Sequence, residues 1–168
     1  MNRAQRFFRH AFTTLGAVRR SFPKSALAQI EQAIKDCEKK HAGEIRFAVE
    51  AALHERAIWA GMTPRQRAIE LFSQLRVWDT EHNNGVLIFV LLADRAVEIV
   101  ADRGVARGRV PRDEWEKVCR LTEAHFREGR YTQGAVAGVQ AVAEVLARYP
   151  AGARGDGNEL SDAPVVIP

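Results

Sequence analysis

Asp79, Glu81, His82, Asn83 and Asn84 crowd into one polar loop, Trp78-Asp-Thr-Glu-His-Asn-Asn84, and Asp102-Arg103-Gly104 supplies a second short polar segment. Carboxylate and amide oxygens are the donors that hard divalent cations prefer, so Asp79, Glu81, His82 and Asp102 are candidate ligands for calcium, magnesium or manganese. A cation held by Asp79 and Asp102 would polarise a phosphoryl oxygen, with His82 or a bound water moving the proton, which is metal-assisted phosphatase chemistry. Arg103 beside Gly104 is a candidate for holding a phosphate. The same residues also have a plain reading. Asn-Asn-Gly is a good turn sequence without any ligand, and an isolated histidine on a loop is commonly a solvated side chain. Both readings stand at this point.

Other catalytic signatures are missing. No glycine-lysine-serine or glycine-lysine-threonine run marks a phosphate loop. No Gly-x-Ser-x-Gly elbow occurs, and His41 and His54 lack zinc-protease spacing. Cys37 and Cys119 stand apart, each within an apolar helical stripe, and are expected to be small core side chains rather than nucleophiles. A non-catalytic accessory or interaction module is therefore the favoured expectation, with a metal-assisted acid phosphatase as the alternative.

The elements that must position these loops follow from periodicity. Ile45, Phe47 and Val49 alternate within Glu44 to Glu50, as in a strand. Gly85 to Leu92 is continuously apolar, as in a strand covered on both faces. Ala93-Asp94-Arg95 then links it tightly to a third strand, Ala96 to Ala101. Thr63-Pro64-Arg65-Gln66 combines a capping box with a first-turn proline, so a helix starts there, with Ile69, Phe72 and Leu75 expected on its buried face. Pro23, Pro111 and Thr132 open further helices, and Trp59 is expected to anchor the segment before Thr63. A right-handed crossover makes strands one and two parallel, and the hairpin makes strand three antiparallel. One edge of this mixed sheet then gathers Glu44, the Asp79 loop and Asp102.

At 168 residues, 46% hydrophobic and 27% charged, the chain has the composition of one globular domain. No apolar run reaches the roughly 20 residues of a membrane span. Arg3, Arg6, Arg9, Arg19, Arg20 and Lys24 carry six positive charges with no acid among residues 1–24, so of the formal net charge of +4 the rest of the chain holds −2. Residues 1–22 read as a basic leader with an amphipathic helix over 3–18, which either packs Phe7, Phe8, Ala11, Leu15 and Val18 on its own domain or lies on an anionic membrane through residues 3–20. Residues 23–149 form the domain, and 150–168 read as a flexible tail. Thr13, Thr14 and Gly16 interrupt the leader before it makes a secretory signal, so a cytoplasmic protein is expected, peripheral to the inner membrane if the leader docks there. The natural protein partner is unknown. Nucleic acid is not expected, because the basicity lies in the leader and the strands lack an aromatic, basic face.

Gly43-Glu-Ile-Arg46, Arg67-Ala-Ile-Glu-Leu-Phe72, Asn83-Asn-Gly-Val-Leu-Ile88, Asp94-Arg-Ala-Val-Glu-Ile99 with Gly104, and Trp115 occur in an order that resembles the TPM domain, from about Ala26 to Tyr149. The resemblance implies a three-layer α/β/α sandwich around a small mixed sheet. It also implies a family of divergent roles: acid phosphatase in the thylakoid lumen, photosystem repair, receptor modulation, and calcium binding in some members. Phe22-Pro-Lys-Ser-Ala-Leu27 stands where exported relatives carry an acidic, asparagine-rich entry.

Overall fold

The computed structural model describes residues 2–106, 110–150 and 157–167. In chain order its elements are α1 (Arg3–Phe12), α2 (Leu15–Ser21), α3 (Lys24–Glu38), β1 (Glu44–Glu50), α4 (Glu55–Trp59), α5 (Pro64–Gln74), β2 (Gly85–Leu91), β3 (Ala96–Ala101), α6 (Arg103–Ala106), α7 (Arg112–Arg127), α8 (Tyr131–Arg148) and β4 (Val165–Ile167). The sheet order is β3-β2-β1-β4. As expected, β1 runs parallel to β2, from Glu44 opposite Gly85 to Glu50 opposite Leu91. The tight link makes β3 antiparallel to β2, with Val86 opposite Ala101.

Every residue of β2 is buried, because both faces of the sheet are covered. Alternation divides the strands between two cores. Ile45, Phe47, Val49, Val86, Ile88 and Val90 pack with residues of α3, α7 and α8, among them Ile30, Val118, Val139 and Leu146. Ala48, Leu87, Phe89 and Leu91 face the other way, onto Ile58 of α4 and Ala68 and Leu71 of α5. Helices thus cover both faces, giving the three-layer sandwich. The capping box at Thr63 is formed: its hydroxyl accepts the Gln66 N–H at 3.1 Å, and the Gln66 side chain accepts the Thr63 N–H at 2.8 Å.

Four expectations are corrected. The leader is two helices, not one over 3–18, because Thr13 ends the first: its N–H and hydroxyl both donate to the Arg9 carbonyl, and Thr14 continues in extended backbone. The domain also does not begin at residue 23, since Val18 and Phe22 of the leader are 0% and 2% exposed in the larger core, the packed alternative for Val18. The face of α5 is turned relative to the expected one: Ala68 and Leu71 are buried, whereas Ile69 lies exposed. Finally, the segment expected to be a flexible tail supplies β4, which pairs in parallel with β1 through Ala48–Val165, Val49–Val166 and Glu50–Ile167. Three apolar residues hold no structure alone, but an open strand edge satisfies their backbone. The part of that tail at 151–156 lies outside the described residues.

Candidate functional site

The polar edge is assembled where the topology places it. Asp102 donates its N–H to the Gly85 carbonyl at 2.9 Å, and Glu44 donates its own to the Asn84 carbonyl at 3.2 Å. Gly85 permits the close approach of the preceding turn, because a Cβ there would lie 2.0 Å from the Val77 carbonyl oxygen. Gly104 lets the start of α6 press on the loop, where a Cβ would meet the His82 and Asn83 carbonyls at 2.4 and 2.5 Å. Asn83 takes the left-handed φ of 52° that closes the turn. Its carbonyl accepts the Gly104 N–H at 2.9 Å, and its side-chain oxygen accepts Arg103 Nε at 2.9 Å.

The residues brought together are thus Asn83, Asn84, Asp102, Arg103 and Glu44. Asn84 is buried, donates its N–H to Thr80 Oγ1 at 3.0 Å and its side-chain amide to the Ala42 carbonyl. Asp102 Oδ1 accepts the Arg103 N–H at 2.6 Å, while Asp102 Oδ2 and Asn84 Oδ1 are buried without a hydrogen-bond partner. Asp79 and Glu81 are exposed, and His82 is half-buried. Among the described residues no three His, Cys, Asp or Glu side chains are placed to hold a metal ion. Of the four residues Asp79, Glu81, His82 and Asp102, Asp79 and Glu81 point to solvent, and the Arg103 guanidinium meets Asn83.

A second carboxylate group lies beside this edge, unforeseen from the sequence. Glu81 donates its N–H to Glu159 at 2.8 Å, and Glu44 accepts the Leu160 N–H at 3.2 Å, so the segment before β4 is seated along the edge. Glu38, at the end of α3, accepts the Ile45 N–H at 2.8 Å and feels the charge of Asp162. Burial, together with the charges of Glu44 and Asp162, pushes the Glu38 carboxyl up to about 8, and burial likewise raises Glu44. A cavity of about 440 Å³ opens beside them, lined by Lys35, Glu38, His41, Glu44, Asn158 and Glu159 among others. The clue in the sequence was Val-Val-Ile after Asp162, an apolar triplet too short to read as a strand without its partner.

The leader presents a different kind of surface. On the inner side of α1, Arg6 grips Asp94 with two nitrogens, at 2.7 and 3.1 Å. His10 is buried; its Nδ1 accepts the Leu53 N–H at 2.9 Å, so Nε2 carries the proton that meets Asp94 at 3.1 Å. Burial would raise the Asp94 carboxyl, but the hydrogen bonds and charges of His10 and Arg6 outweigh it and hold the group down at about 2. Arg9 donates to the Ala93 carbonyl at 2.6 and 2.9 Å. On the outer side, Phe8 and Phe12 are 58% and 80% exposed. Trp59 of α4 is 54% exposed and leans on Phe7, the ring centres 5.6 Å apart, so it anchors the leader rather than the core. Arg3, Arg19, Arg20 and Lys24 are exposed as well. No helix among the described residues is long and apolar enough to cross a membrane.

Comparison with known proteins agrees with this architecture. The TPM domain family model matches residues 20–145. Among solved structures the chain is similar to the BA42 protein of the psychrophilic bacterium Bizionia argentinensis, with 29% identity over 84% of this chain and 92% of that one and a TM-score of 0.71. It also shares the fold of the N-terminal domain of a protein from P. gingivalis, with 24% identity over 76% of this chain and 81% of that one and a TM-score of 0.57. No curated protein is significantly similar. With the match spanning all the strands of the central sheet except β4, this chain belongs to the TPM domain family.

Proposed function

We propose that the protein is a non-catalytic accessory module of the TPM type that docks peripherally on an anionic membrane, on its cytoplasmic face, through the outer side of α1. The observation that carries this reading is the pair Phe8 and Phe12, both more than half exposed on a helix whose opposite side is fastened to the domain at Asp94. A fastened helix presents its aromatic side chains without having to order itself on arrival. Burying a Phe side chain is worth about 1.5–3 kcal/mol, and each Lys or Arg near an anionic surface adds about 1 kcal/mol. Arg3, Arg19, Arg20 and Lys24 are exposed cations of the same acid-free leader. The two contributions together fit a reversible interfacial contact rather than a permanent anchor. The alternative, a metal-assisted acid phosphatase, would rest on Asp79, Glu81, His82 and Asp102; the exposed aromatic pair on the leader favours the docking reading over it.

The test is co-sedimentation of the full chain with vesicles of phosphatidylglycerol and of phosphatidylcholine. We expect binding to the anionic vesicles, weakened by salt and reduced at least tenfold in the double variant Phe8→Ser, Phe12→Ser. Equal binding of variant and parent, or no preference for the anionic lipid, would overturn the reading.

A further inference from the structure

The groove along β1 is filled by the C-terminal segment, through contacts that any extended chain could make. The Arg46 guanidinium donates to the Ser161 and Ala163 carbonyls, and Glu44 accepts the Leu160 N–H at 3.2 Å. The Ala51 N–H donates to the Ile167 carbonyl at 3.4 Å. Each of these contacts ends on a backbone atom of the segment, so it reads an extended conformation rather than a sequence, as in strand addition to a sheet edge. Side-chain identity enters through four partly buried apolar residues: Leu160, Val165 and Ile167 lean on the smaller core, and Val166 leans on the larger. Pairing with β1 spans only Val165 to Ile167, a strand at the short end of the usual range. β4 also lies beyond the TPM match, which ends at residue 145.

The start of the segment is poorly matched to the groove in charge. Glu159 lines the 440 Å³ cavity together with Glu38 and Glu44 of the domain. Lys35 and Lys39 line it too, but Lys35 is paired to Glu31 at 2.5 Å and Lys39 to Asp36 at 2.7 Å. Like charges set against each other across an interface cost affinity. A basic side chain at the position of Glu159 would instead meet two carboxylates.

We propose that the edge of β1 is a docking groove for an extended segment of a partner protein, basic at its start and apolar at its end, laid parallel to β1. Residues 157–167 are a tethered occupant of that groove, which such a segment displaces. Tethering supplies an effective concentration on the order of 1 mM, so a segment of mismatched charge can hold the groove until a better matched one arrives. A strand edge left bare would invite unselective pairing, and the tethered occupant prevents it.

The experiment titrates the full-length protein, followed by its amide resonances, with two synthetic peptides: residues 157–168 as they stand in the chain, and the same peptide with Glu159→Lys. It is repeated on the full-length variant Val165→Asp, Ile167→Asp, which sets carboxylates against the smaller core and frees the groove. The milder Val165→Ser, Ile167→Ser takes its place if the dispersed resonances of β2 are lost. We expect saturable shifts over residues 46–51 in the freed variant, with an affinity at least a hundredfold above that of the parent, where the tethered segment competes. The Glu159→Lys peptide is expected to bind about tenfold more tightly than the unchanged one, and a peptide carrying Val165→Asp and Ile167→Asp is expected not to bind. Absence of saturable shifts along β1 in the freed variant, or equal affinity for variant and parent, would overturn the groove. Equal affinity of the lysine and unchanged peptides would overturn the basic partner.

Discussion

Asp94 has two partners one turn apart on the inner side of a single helix, and the arrangement decides how its charge is used. Arg6 and His10 hold its two oxygens, and Arg9 takes the neighbouring carbonyl of Ala93. A carboxylate that would resist burial alone is thereby kept ionised to about 2, below its ordinary 3.8. A depressed carboxyl contributes stability above its unfolded pKa and loses it as pH falls toward its folded one. The contribution of Asp94 is therefore complete above pH 3.8 and fades between there and about 2. Replacing it by Asn keeps the shape but removes the charge that Arg6 needs. Asp94→Asn is expected to lower stability at pH 7 by about 1.5–3 kcal/mol, the range for hydrogen bonds to charged groups, and the gap to the parent is expected to close as the pH is taken from 4 to 2. Urea denaturation of both proteins across that range measures it, and a gap that persists unchanged at pH 2 would contradict the assignment.

The elements of the leader show why a chain boundary cannot be drawn from charge alone. Phe22 follows α2 and stacks its ring near Phe47, Phe126 and Tyr131, with centres 6.1, 5.9 and 5.6 Å away. Phe22→Ala should therefore cost about 3–5 kcal/mol, as for other buried aromatics, whereas Phe8→Ala should stay within about 0.5 kcal/mol, as for a surface change. Thermal or urea unfolding of the two variants compares them, and similar losses would mean that the outer side of α1 is packed. The contrast also explains what was legible. β1, β2 and β3 could be placed from the sequence because alternation or continuous burial is written locally into them, and the handedness of crossovers then brought Glu44, Asn84 and Asp102 to one edge. Which face α5 buries, and whether Val165 to Ile167 form a strand, depended on partners distant in the chain. For the same reason the loop at Asp79 was visible as polar, but the seating of Glu159 and Leu160 against Glu81 and Glu44 was not.

At the scale of the molecule, the three strands β3, β2 and β1 would leave two edges to protect, and this protein protects each differently. β1 is covered by β4, a cover made of the chain itself. Among the described residues β3 has no further strand beside it in the sheet order, and two of its outward backbone groups are met by side chains: the Val97 N–H donates to Glu123 Oε1 at 3.2 Å, and the Ile99 carbonyl accepts from the Arg65 guanidinium. Arg65 comes from α5 and Glu123 from α7, so helices on the two opposite faces of the sheet reach over the same edge. An edge whose donor and acceptor are already engaged is a poor template for another strand, whereas a bare one invites pairing. The double variant Arg65→Ala, Glu123→Ala frees both groups without touching either core. It is expected to keep its secondary structure by circular dichroism yet to associate as concentration rises, seen as a growing weight-average mass in light scattering, with each single variant intermediate. A double variant that stays as monodisperse as the parent would mean that the helices shield this edge by their bulk, and that the two side-chain hydrogen bonds contribute little to keeping it closed.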